Sequence, residues 1–274
     1  AGMVRLFMLR SSGGDVYAPY SSLRADPLGT KGFFDSIAEL PGITVSRNFQ
    51  PREKMQPDPS MLLLYLGVNP PVSEDTLFTD SNFLRWMAAG GARVVISMLP
   101  TNDQFYLELY GDGRPDPDTS ATASGVSPLS RQGMTIHQQR MARELRRNRP
   151  SAGGTSITLT ESLSLDMIFR LLPETKEKGV EARLAVPVSG DVQTTIPWHS
   201  AIAFHNLDPG WKVIMQRNGY PVVIERPLGR GSLVLMTDSY PFSNESGFKA
   251  PESEFLAWVI GDKKQIVFEE THLG

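Results

Sequence analysis

The 274-residue chain contains no cysteine. That absence removes disulfide scaffolds, thiolate zinc sites and every cysteine nucleophile together. It fits an extracytoplasmic compartment, where an unpaired thiol is a liability, without fixing one. No apolar run approaches the roughly 20 residues that cross a bilayer. The longest, Met61 to Gly67, has the length of a strand. Charge of one sign is not in excess either: 27 Lys and Arg stand against 30 Asp and Glu, and a net charge of -3 gives no global attraction to polyanions. Nucleic acid is therefore not an expected partner. Apolar residues at 40% and charged residues at 21% are ordinary for a folded domain, which excludes disorder throughout.

What is present alternates between helical and strand-like patterns. Residues 3–10 read as an opening strand or as the trailing end of a membrane helix, so residues 1–19 form a juxtamembrane or first-strand segment ahead of a single domain over 20–274. Asp26-Pro27 predicts a helix over 27–40, carrying Phe33, Ile37 and Leu40 and closed by Pro41-Gly42. Ile43 to Ser46 alternates as a strand, and the run at 61–66 predicts a central strand covered on both faces. Thr79-Asp80 can cap a helix with Phe83, Leu84, Trp86 and Met87. Arg93 to Ser97 then completes a βαβ unit.

A loop-plus-basic-helix insertion occupies about 103–154. Gly, Pro, Asp, Ser and Thr fill 111–130, and a helical pattern over 134–147 follows. Afterwards the sequence predicts a strand at 156–160, a helix at 164–172, and β-like stretches at 182–188, 200–204 and 211–216. Asn218-Gly219 is a hairpin turn. Strands at 221–225, 232–237 and 265–269 and a helix at 252–260 complete the chain. The expected fold is α/β: a three-layer, flavodoxin-like sandwich on a mainly parallel sheet with an antiparallel excursion.

Several strings carry a resemblance across nearly the whole chain. They are Tyr20-Ser21-Ser22-Leu23-Arg24-Ala25-Asp26-Pro27-Leu28-Gly29-Thr30-Lys31, Arg47-Asn48-Phe49, Gly229-Arg230-Gly231, Asp238-Ser239-Tyr240-Pro241-Phe242-Ser243-Asn244-Glu245 and Glu270-Thr271-His272-Leu273-Gly274. The chain resembles bacterial membrane proteins catalogued as domain of unknown function 4350. That resemblance implies a domain held between amino-terminal and carboxy-terminal membrane helices, on the periplasmic side. It also implies protein partners in a membrane complex, linked to MoxR-type ATPases, whose genes often lie nearby. More distantly the layout resembles the class I glutamine amidotransferase fold. Its cysteine and histidine positions fall here near Ser97-Met98-Leu99 and Asp238-Ser239-Tyr240, where neither residue stands, so no catalytic residue is assigned.

Ligands in α/β sheets sit beyond the carboxyl ends of parallel strands. This singles out Asn69, Ser97, Asn102, Asp238, Ser239 and Asn244 as a candidate ligand crevice. Asp238 leads, because a carboxylate directly after a buried strand needs a partner or a ligand; the alternative is a cap for the turn that follows. A Ser-His-Asp system would need His137, His199 or His205 brought to Asp238 and Ser239 by folding, and the Gly-x-Ser-x-Gly pattern is missing. Glu269, Glu270 and His272 mix carboxylate and imidazole, yet adjacent strand residues face opposite ways, so no metal site is expected. Arg24 and Lys31 are candidate anion contacts, although a phosphate-loop spacing is absent. Arg140, Arg143, Arg146 and Arg147 are a candidate lipid or partner patch, or else a solvated helix face. No cofactor is expected. The sequence thus favours a non-catalytic binding or scaffold domain, with a hydrolase built on Asp238 and Ser239 as the alternative.

Overall fold

The computed structural model describes residues 17–68, 81–100, 157–159, 165–167, 170–171, 183–200, 202–204, 207–249 and 252–273. In chain order these hold α1 (Lys31–Ala38), β1 (Thr44–Asn48), β2 (Met61–Val68), α2 (Ser81–Ala89) and β3 (Arg93–Met98). Next come β4 (Ile157–Leu159), β5 (Leu165–Met167), β6 (Arg170–Leu171), β7 (Arg183–Pro187), β8 (Ile196–Trp198) and β9 (Ile202–Ala203). The last part comprises β10 (Lys212–Arg217), β11 (Tyr220–Leu228), β12 (Gly231–Met236), α3 (Asn244–Lys249), α4 (Ser253–Ile260) and β13 (Gln265–Glu269). Short 3-10 turns lie at Arg52–Lys54, Tyr240–Phe242 and Thr271–Leu273.

Nine strands form one mixed sheet in the order β1-β13-β2-β3-β12-β11-β10-β7-β8, while β4 pairs with β5 and β6 with β9. From β1 to β12 every pairing is parallel; from β12 to β8 every pairing is antiparallel. The central run explains itself. Leu62, Leu63, Leu64 and Leu66 are all buried because helices flank this strand on both sides, so alternate residues serve opposite cores. Leu63 and Tyr65 join a cluster with Leu84 and Met87 of α2. Leu62, Leu64 and Leu66 join another with Ile37 of α1 and with Phe255 and Val259 of α4. The Asn218-Gly219 turn has φ of 50° and 81°, the left-handed pair that a two-residue hairpin between β10 and β11 requires.

Three expectations change. The sheet is divided evenly between parallel and antiparallel pairings, so the antiparallel excursion is half of it. The helix expected at 164–172 is replaced by β5 and β6, which pair with β4 and β9: long-range pairing outweighs a short apolar spacing. The helix expected from residue 27 begins at Lys31. The Asp26 carboxylate is taken by Arg24 and by the Leu28 N–H, and the chain turns there before it can wind. Residues 103–154, including Arg140, Arg143, Arg146 and Arg147, lie outside the described residues.

β12 starts against bare backbone. A Cβ on Gly231 would lie 2.1 Å from the Ala92 carbonyl oxygen and 2.6 Å from that of Ala88, and neither can swing aside. Gly231→Ala is expected to cost about 1–3 kcal/mol in a urea melt. Gly190→Ala, which meets nothing within 4 Å, should stay within about 0.5 kcal/mol of wild type.

Candidate functional site

The carboxyl ends of β2, β3 and β12 converge, and they bring Ser97, Asp238 and Ser239 together as three fully buried polar side chains. Burial demands partners. The Ser97 and Ser239 hydroxyls lie 2.7 Å apart, and the Ser239 Oγ also accepts the Gly67 N–H at 2.9 Å. Asp238 Oδ1 accepts the Tyr240 N–H at 2.7 Å; Oδ2 accepts the Ser200 N–H at 2.9 Å and the His199 N–H as well. Beside them Thr237 Oγ1 accepts the Trp198 indole N–H at 3.1 Å, and Arg217 donates to the Ser200 carbonyl. These bonds all run inside the protein.

His199 is the histidine that approaches the cluster among the described residues; His137 and His205 lie outside them. It reaches Asp238 through its main-chain N–H. Its ring instead packs on Tyr240, with centroids 3.7 Å apart, and its Nδ1 is buried with no hydrogen-bond partner among the described residues. Burial holds this imidazole below its ordinary value and so favours the neutral ring. The Tyr20 hydroxyl is likewise buried and unpartnered among the described residues. Burial, ahead of the nearby Asp238, Tyr240 and Glu245, pushes that phenol up. Tyr20 itself sits in the left-handed region at φ 65°. It can press against β2 because residue 67 is glycine: a Cβ there would come within 2.8 Å of the Tyr20 Cβ.

Asn244 turns away from Ser97 and Asp238. Its amide donates to the carbonyls of Asp26 at 2.6 Å and Arg24 at 3.2 Å, and its oxygen accepts the Gly32 N–H at 2.7 Å. Arg24 is drawn to Asp26, and Lys31 to Asp35. Asn69 and Asn102 lie outside the described residues.

The sequence reading missed a clasp between the two ends of the described chain. Glu270 accepts the Ser21 hydroxyl and the Ser22 N–H, each at 2.8 Å. Arg47 donates to the Ser22 hydroxyl at 2.7 Å and lies 3.5 Å above the Phe34 ring. Thr30 ties its hydroxyl to the Tyr20 carbonyl at 3.0 Å. Next to Glu270, His272 bridges the Glu269 carboxylate and the Leu66 carbonyl. The signal was present as unusual strings at 20–31, 47–49, 238–245 and 270–274, but spacing alone does not say that they meet.

The chain belongs to the family described as domain of unknown function (DUF4350), whose model matches residues 20–260. Comparison with curated proteins finds no match. Among solved structures, an exo-beta-1,4-mannosidase from Opitutaceae bacterium strain TAV5 is 13% identical, over 76% of this chain and 26% of that one, with a TM-score of 0.32. So distant a likeness, over about a quarter of that protein's length, carries no argument. The chain has no cysteine, and the described residues contain no group of three or more His, Asp or Glu able to hold a metal ion. None of their helices is long and apolar enough to cross a membrane.

Burial pushes the Asp238 carboxyl up to about 6, against three backbone N–H groups and the Arg217 charge that favour its ionised form. In the unfolded chain the proton leaves near the ordinary value of 3.8. The stabilisation is therefore complete below that value and is lost as pH rises through about 6. Asp238→Asn should remove this component, worth about 1–3 kcal/mol between about pH 4 and about pH 7. Urea melts of both proteins at the two pH values read it directly; an unchanged pH slope in the variant contradicts it.

Proposed function

We propose that this domain is a non-catalytic scaffold of a membrane-anchored bacterial protein, whose polar strand ends hold its own architecture together. The observation that carries the reading is the inward bonding of Ser97, Asp238 and Ser239. Each is fully buried, and among the described residues their side chains bond to one another's hydroxyls or to main-chain N–H groups. A serine nucleophile needs a base in hydrogen-bond reach and an open side for substrate. Ser239 has Ser97 and Gly67 at those distances, and the approach of His199 to Asp238 is by backbone.

The clasp supports the scaffold half of the reading. It seats residues 20–24 against residue 270. Flanking segments attached at those two places would leave side by side, which suits two membrane anchors and a docking role in a complex with protein partners. The periplasmic side and a connection to MoxR-type ATPases belong to the same proposal and rest on the family resemblance. A hydrolase using Asp238 and Ser239 is the second reading; it needs a histidine base at Ser239, whereas the His199 ring packs on Tyr240.

Two measurements separate them. Against a panel of activated esters and amides, Ser239→Ala and Ser97→Ala should match wild type, while each loses about 1–3 kcal/mol of stability because a buried partner is left unsatisfied. Folded Ser239→Ala protein that loses a turnover shown by wild type would sink the scaffold reading and establish the hydrolase. Separately, Glu270→Ala should release the 17–31 segment and speed tryptic cleavage at Arg24 and Lys31 several-fold. Cleavage at the wild-type rate would remove the clasp from the reading.

A further inference from the structure

His272 makes two ring contacts that a neutral imidazole cannot both satisfy. Its Nδ1 lies 2.8 Å from Glu269 Oε2, and its Nε2 lies 2.8 Å from the Leu66 carbonyl oxygen. Both oxygens are acceptors. The neutral ring carries one N–H, so one of these approaches would set a nitrogen lone pair against an oxygen lone pair; the doubly protonated ring donates to both. We propose that His272 is a proton-operated latch: the protonated ring ties the exit of the domain to the end of β2, and loss of one proton releases it.

The ring lies against a buried carboxylate. The Glu269 side chain is fully buried beside a ring that is 11% exposed. Burial opposes ionisation of Glu269, but hydrogen bonds from His272 and Thr271 and the charges of His272 and Arg52 outweigh it and hold this carboxyl below its usual range. Tyr65 of β2 packs its ring on the imidazole at 5.5 Å, and the Arg52 guanidinium stands 5.8 Å from the Tyr65 ring. Glu270, two residues before it, is turned to Ser21 and Ser22. The carboxylate in contact with the ring is therefore that of Glu269, on which the Arg52 charge also acts.

The position makes the latch consequential. Leu66 precedes Gly67, whose N–H holds Ser239, and residue 270 carries the clasp to residues 21 and 22. Releasing His272 loosens the Thr271–Leu273 turn at the point where that clasp is anchored. The sign follows from the protons. The bridge is complete while the ring holds both, and it is lost when rising pH removes one of them. At the acid end it persists until Glu269 itself takes up a proton, below the ordinary glutamate value of 4.5.

Hydrogen exchange at the Glu270 and Leu273 amides, which donate to the carbonyls of Asn48 and Glu270, reads the latch. After correction for intrinsic rates, protection should be about tenfold higher at about pH 5.5 than at about pH 8.5. In His272→Gln that ratio should fall to one. A wild-type ratio of one, or a ratio kept in His272→Gln, overturns the proposal. The ring nitrogen chemical shifts of wild-type protein need no variant to fold: two protonated nitrogens near pH 5.5 support it, and a singly protonated ring across the whole range overturns it. The latch stands apart from the scaffold reading, since an enzyme with the same turn would titrate in the same way.

Discussion

A carboxylate buried at the end of a central strand has to be supplied with donors, and the strand ends of this protein are arranged around that demand at Asp238. The Tyr240 N–H answers it from the following 3-10 turn. That turn carries Phe242 into the core and delivers Asn244, which grips the chain at 24–32. Held there, the 20–31 segment offers Ser21 and Ser22 to Glu270. From the other side, the N–H groups of His199 and Ser200 bring in the chain leaving β8. One buried charge thus joins the connectors of the parallel and antiparallel halves, and each donor left without it would cost about 1–3 kcal/mol.

The same economy of partners governs the serines. A nucleophile must be half free: bonded to a base on one side and open on the other. A structural hydroxyl has its capacity filled by neighbours that do not move. Ser239 meets the second description, because the Gly67 N–H comes from a rigid strand and Ser97 from the next strand over. Gly67 serves twice here. Its φ of 72° aims the N–H, and its missing Cβ admits Tyr20 in a conformation that a side chain pays for in strain.

Much of the sheet was legible because its signals are local. The apolar runs at 61–66 and 232–237 can only be strands sunk between two layers, and Asn218-Gly219 declares its turn by the one backbone conformation it prefers. The readings that failed depended on contacts made elsewhere. The stretch 164–172 reads as a helix stopped by Pro173, yet β5 and β6 find partners at 157–159 and 202–203. Asp26-Pro27 suits a helix start, but Arg24 claims the carboxylate. Of the bonds to Asp238, the one to Tyr240 is two residues away and was foreseeable as a cap. Those to His199 and Ser200 span 39 and 38 residues, and no local pattern encodes them.

The clasp raises a question of cost, since Ser21 and Glu270 are separated by 249 residues. Loop closure grows only as the logarithm of length, but a closure of this size would still exceed what two hydrogen bonds return. The sheet removes the difficulty. β13 inserts between β1 and β2, so the last strand already lies beside the first, and the Glu270 N–H already meets the Asn48 carbonyl. Sheet formation bears the closure entropy and is driven by burial of Ile266, Val267 and Phe268. Once that is done, Glu270 and His272 act over a few ångströms, where one charge-assisted hydrogen bond is enough to decide whether the exit of the domain is held or free.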